Sequence, residues 1–146
     1  MGKRYKHLLE QISDIDNIRL AYKKAVKGGN RYTVSHLKFK ENLEANLYLI
    51  QQQLKNEVYK HGEYHTFKVY EPKERVISSL PFKDRVVQHA INNIVEPIFE
   101  KGFYKTSYAC RKNKGTHTGV KSVQASIRKT IKNGAVYYLK MDFSKY

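Results

Sequence analysis

Glu71-Pro72-Lys73-Glu74-Arg75-Val76-Ile77-Ser78-Ser79-Leu80-Pro81-Phe82-Lys83-Asp84 holds a turn, a strand, a break and a helix start in one short span. Before it, the side chains alternate: His65, Phe67 and Val69 point one way, and Tyr64, Thr66, Lys68 and Tyr70 the other. A period of two is the signature of a strand. Proline early in Glu71–Glu74 suits a turn, and Arg75 to Leu80 returns as a second strand. The expected unit is a hairpin with Lys73 and Arg75 at or near its tip. Pro81 breaks the strand. Asp84 suits the first turn of a helix, where a carboxylate complements exposed N–H groups. Val86, Val87, Ala90, Ile91, Ile94 and Val95 then give that helix a wide apolar face, which should be buried, and Pro97 should end or bend it.

Working towards the N-terminus, Leu43, Leu47, Ile50 and Leu54 form an apolar stripe that predicts a core helix over about 41–58. A polar, basic connector is expected over 28–40. Leu8, Ile12, Ile15 and Tyr22 predict one helix over about 5–26, stopped by Gly28-Gly29. Working towards the C-terminus, 99–115 reads as a loop rich in glycine, lysine and aromatics. Residues 116–133 read as an amphipathic helix with Val120, Val123, Ile127 and Ile131 inward, ended by Gly134. A short apolar strand, Tyr137-Tyr138-Leu139-Lys140-Met141, then delivers Asp142 and Phe143. This final strand, over 135–143, is expected to leave an open, apolar edge. The fold class is α+β.

Composition bounds the partners. The 146 residues carry 28 Lys and Arg against 13 Asp and Glu, a net charge of +15. Phosphate backbones are the first candidate for so basic a chain, anionic membrane surfaces the second. No apolar run reaches the length of a membrane span, and the N-terminus has no signal-type core. One cysteine, Cys110, excludes an intrachain disulfide and a cysteine-rich zinc site; Cys110 itself reads as a small packing residue. The cytoplasm fits such cysteine usage. From Lys101 to Met141 there is no acidic residue, while Arg111, Lys112, Lys114, Lys121 and Arg128 are basic. Basic residues beside Tyr104 and Tyr108 can stack bases and hold backbone, although a solvated loop has the same composition. A lone aspartate at a strand end is either a turn starter or one ligand of a metal near a phosphate. Lys73 and Arg75 are either solvated tip charges or phosphate contacts.

The order Glu71–Ile77, Leu80-Pro81-Phe82-Lys83-Asp84-Arg85-Val86-Val87-Gln88-His89-Ala90, Glu96-Pro97-Ile98-Phe99, Ser107-Tyr108-Ala109-Cys110-Arg111-Lys112 and Tyr138–Asp142 resembles the fingers and early palm of bacterial reverse transcriptases. That group comprises the group II intron, retron and diversity-generating retroelement enzymes. The likeness covers about residue 60 onward, and Ser107–Lys112 with Lys114-Gly115-Thr116-His117 is most similar to the diversity-generating branch. The resemblance implies a helical region over 1–60 and fingers plus first palm strand over 61–146, cut before the Asp-Asp motif of a right-hand polymerase. It implies RNA-directed DNA polymerisation with Mg2+, an RNA template, a DNA primer and dNTPs, and no membrane. Asp142 would be the first catalytic carboxylate and metal ligand. Lys73, Arg75, Arg111 and Phe143 would lie at the incoming nucleotide, and Lys112, Lys114, Lys121 and Arg128 along the nucleic acid. The family's Asp-Asp pair is absent from these residues. A chain ending at this point would be inactive alone, or would be completed by a second polypeptide. The competing class is a non-catalytic nucleic-acid-binding module that keeps a fingers-like fold.

Overall fold

The computed structural model describes residues 4–132 and 134–143. Six α-helices, one 3-10 helix and one two-stranded antiparallel sheet make a mixed α+β fold among them. The helices are α1 (Leu8–Ile12), α2 (Ile15–Ala25), α3 (Val34–Glu41), α4 (Leu43–Lys55), α5 (Phe82–Glu100) and α6 (Thr116–Ile131), with the 3-10 turn at Gly28–Tyr32. The strands are β1 (His65–Tyr70) and β2 (Glu74–Ser79). Contacts group the chain into two compact units, Met1–Lys101 and Gly102–Tyr146. This grouping joins α5 to the N-terminal helices, whereas the division at residue 60 follows motif content.

In the first unit, α2 packs along α5 and also against α4. Ile18, Leu47, Ile50 and Val86 are fully buried where these helices meet. Burying each such side chain contributes about 1.5–3 kcal/mol. An aromatic cluster closes the adjoining end. Phe82 lies 5.0 Å from the His36 ring and 5.2 Å from Phe39, and its edge faces Tyr22.

Three local expectations are corrected here. The single helix expected over 5–26 is two, because Asp14 caps α2 by accepting from the backbone N–H of Asp16 and Asn17. The connector over 28–40 contains α3, capped by Thr33, whose hydroxyl accepts from His36 N–H. Its core residues are His36 and Phe39, while Val34 and Leu37 are exposed, so an apolar-only pattern misses it. Pro97 does not end α5, which runs to Glu100. Proline there removes only the N–H that would reach Asn93, in the last turn.

The second unit departs further. No strand forms over 135–143. Tyr137 is 91 % and Leu139 81 % exposed, so this segment is not the buried strand its composition suggests. A strand exists only as one member of a ladder, and none of the described residues pairs with it. Likewise Val120, Val123, Ile127 and Ile131 are exposed along α6 rather than inward. The helix ends at Ile131, and the expected last residue, Asn133, lies outside the described set. Cys110 is exposed, not a packing residue.

Candidate nucleic-acid interface

The hairpin is the most distinct presenting surface of the first unit. Its register pairs His65 with Ser79, Phe67 with Ile77 and Val69 with Arg75 on one face. Thr66 with Ser78, Lys68 with Val76 and Tyr70 with Glu74 occupy the other. Lys73 sits in the turn, and Arg75, exposed, pairs with Val69 at the turn end of the face that carries Phe67 and Ile77. Lys68 meets Glu74 at 2.5 Å across the ladder. Both partners are exposed, so the pair adds about 0–1 kcal/mol. It does, however, remove the one carboxylate of β2 from competition for Lys73 and Arg75. Among the described residues neither of those cations has an ion-pair partner. Almost every hairpin side chain is exposed on both faces, including Phe67, Tyr70, Val76 and Ile77. A two-stranded hairpin alone is marginal in water, so its anchorage matters.

The anchorage comes from α5. Arg85 donates to Ser79 Oγ at 2.8 Å and, through its other terminal nitrogen, to Asn30 Oδ1. One guanidinium thus ties the base of β2 to the 3-10 turn. Beside it, the Asp84 carboxylate is 3 % exposed. It accepts the Tyr59 hydroxyl and the Gly62 N–H, the latter at 2.9 Å. These bonds fix the chain that enters β1. Asp84 therefore serves the hairpin's root more than the helix dipole for which its position suited it. Burial, then the bond to Asp84, pushes the Tyr59 hydroxyl well above the ordinary tyrosine range.

In the second unit, Arg111 turns back onto its own loop. Its Nη1 donates to the carbonyls of Tyr104 (2.8 Å) and Ser107 (3.0 Å), and the guanidinium lies 5.2 Å from the Phe103 ring centre. Lys114 does the same, donating to the Lys105 carbonyl at 2.6 Å with Nζ 5.0 Å from the Tyr108 ring. The loop needs such ties because Cys110, Asn113 and Gly115 all have positive φ, a conformation that non-glycine residues adopt at a cost. Lys112 is exposed beside them, and Lys121 and Arg128 are exposed on α6. Asp142 is exposed, and its Oδ1 accepts from the N–H of Phe143 at 2.9 Å. Among the described residues no group of three or more His, Cys, Asp or Glu converges. A single carboxylate does not make a Mg2+ site, so these residues alone do not fit the metal. No helix among the described residues is long and apolar enough to cross a membrane.

Known proteins give a limited comparison. No family model matches the chain. Over 64 residues it is 34 % identical to Nuclear intron maturase 2, mitochondrial, of Arabidopsis thaliana. The match takes in 44 % of this chain and 8 % of that protein, so the chain spans under a tenth of that relative's length. This is a distant, partial link to a maturase.

Of the residues read from sequence, Lys73 and Arg75 share the hairpin, and Arg111, Lys112 and Lys114 share one loop. Sequence reasoning missed Arg85, Asn30 and Tyr59, the residues that root the hairpin. Arg85 follows Asp84 in a stretch of obvious motif character, but its partners are 55 and 6 residues away. No local pattern links them.

Proposed function

We propose that the chain is the fingers and early palm portion of a reverse transcriptase or maturase, and that it binds single-stranded RNA and the primer–template of that enzyme. The observation that carries this reading is the hairpin: Lys73 and Arg75 without acidic partners, held out on an arm rooted by Arg85 and Asp84. The ordered motifs and the partial likeness to a maturase support it. In this reading Arg75 offers its planar fork to the phosphates of an incoming dNTP and Lys73 a point charge. Arg111 orders its own loop through the Tyr104 and Ser107 carbonyls and is read, with the Phe143 backbone, as a nucleotide contact, and Lys112, Lys114, Lys121 and Arg128 as contacts to the nucleic acid. Asp142 contributes one carboxylate to a Mg2+ site that other residues must complete.

A non-catalytic binding module is the second reading, favoured by the single carboxylate at Asp142. Two measurements separate them. RNA binding measured against salt should give a steep log–log slope, because bound counterions are released; a flat plot removes both readings. Primer extension on RNA with Mg2+ and four dNTPs should give no product with these 146 residues, and product from a longer in-frame polypeptide that Asp142→Asn abolishes. No product from the longer polypeptide leaves the binding module.

A further inference from the structure

The N-terminal helices carry a cationic notch that none of the motifs above includes. It lies where α2 runs into the 3-10 turn, a shallow, open concavity of about 410 Å³ lined by Lys23, Val26, Lys27, Gly28, Arg31 and Tyr32. Three cations thus edge one concavity. Among the described residues none of the three has an ion-pair partner. Lys24, by contrast, turns to α5 and donates to Asn93 Oδ1 at 2.5 Å. The Tyr32 ring is 78 % exposed, with the Arg31 guanidinium 6.0 Å from its centre.

The backbone bearing Arg31 and Tyr32 is pinned from beneath. The Arg31 carbonyl accepts from His36 Nδ1 at 2.8 Å. A carbonyl cannot donate, so Nδ1 carries the proton, and Nε2 shares a hydrogen bond with the Tyr22 hydroxyl, 3.1 Å away. Asn30 is held twice, its carbonyl by the Thr33 hydroxyl at 2.9 Å and its side chain by Arg85. Cations on a fixed loop lose less freedom on binding than cations on a loose one.

We infer that this notch holds one nucleotide of single-stranded RNA, its phosphate among Lys23, Lys27 and Arg31 and its base stacked on Tyr32. Three unpaired cations suit a phosphodiester, and an exposed ring beside arginine suits a base face. A duplex hides its base faces, which makes a single strand the fitting partner. A membrane surface would need apolar area to bury, and Val26, half-buried, is the one aliphatic side chain lining the notch. The inference rests on the reading of the chain as a nucleic-acid binder and adds a contact remote in sequence from the hairpin.

The chain contains no tryptophan, so Tyr32→Trp creates a single fluorescent reporter, with Tyr48→Trp on the exposed side of α4 as control. Titration with a uridine oligomer should quench the first saturably and leave the second unchanged. Tyr32→Ala, which alters no charge, should weaken binding at least about fivefold, from the value of one stacked base. Replacing Lys23, Lys27 and Arg31 by glutamine should make the salt slope shallower by about 0.7, the single-strand expectation for one neutralised phosphate. Lys38, Lys40 and Lys55 replaced alike should change it less. If anisotropy reports RNA binding while the Tyr32→Trp signal stays constant, or if the control triple has an equal effect, the notch is not the site and the nucleic-acid reading stands. If no RNA binds at low salt, both fall. If phosphatidylserine vesicles quench Tyr32→Trp and RNA does not, the notch is a membrane contact and the inference is overturned.

Discussion

Tyr59 donates its hydroxyl to the buried carboxylate of Asp84, joining the segment before β1 to the first turn of α5. Removing the donor leaves a buried carboxylate with one fewer partner. Tyr59→Phe should therefore cost about 1–3 kcal/mol in chemical denaturation. The pH dependence follows from the same pair. Tyr59 ionises at higher pH folded than unfolded, chiefly through burial. Its contribution is complete below about pH 10, the ordinary tyrosine value, and is lost as pH rises beyond it. Tyr22 shifts in the same direction by burial. Tyr59→Phe should flatten the alkaline loss while lowering stability at neutral pH; an alkaline limb unchanged by Tyr59→Phe would contradict the assignment.

At the acid end the sign reverses. Burial, and then the nearby Lys24 charge, hold His89 below its ordinary value. The unfolded chain then takes up that proton first as pH falls. The contribution is complete above about pH 6.5 and is lost as pH drops below it. His89→Gln should make thermal stability less sensitive to pH between about 6.5 and 5. Equal pH slopes for the two proteins would count against this placement of His89.

Gly62 has no room for a side chain. A Cβ there would meet Pro81 Cγ at 2.9 Å and Asp84 Oδ2 at 3.3 Å. Gly62→Ala should destabilise the first unit by about 1–3 kcal/mol, the usual cost of overpacking, measured as a shift in urea midpoint. A neutral result would mean that Pro81 yields.

Arg85 bridges two acceptors through two separate terminal nitrogens, a planar fork that the compact ammonium of lysine does not reproduce. Arg85→Lys should keep the charge yet speed amide exchange in 65–79 relative to α2. Exchange confined to the level of the unsubstituted protein would show that the hairpin is held by other means.

α4, α5, α6 and the hairpin were legible in the sequence for simple reasons. Leu47, Ile50 and Leu54 repeat at helical spacing and are buried, and the alternation from His65 to Tyr70 is a strand. α3 was hidden because its core residue is His36, a polar side chain satisfied by Arg31 and Tyr22. The signal that would have found it is Thr33, a cap ahead of the helix. The segment before Asp142 was misread because an apolar run describes what a strand is made of, while the ladder that makes it one needs a second strand beside it. The hairpin's cations were legible. Its root was not, since Asn30 and Arg85 meet only in the folded chain.

The attachment of β2 at Ser79 also sets a lever. Each strand has six residues, so at about 3.4 Å per residue Lys73 rides roughly 20 Å from the pivot, and a swing of about 5° there carries it about 1.7 Å. Misplacement of about 1 Å can cost a reaction on the order of a hundredfold. Angular play at the root is thus multiplied at the far end of the arm, and the aim of the tip is decided on α5, by Arg85 and Asp84, far from the residues that they position.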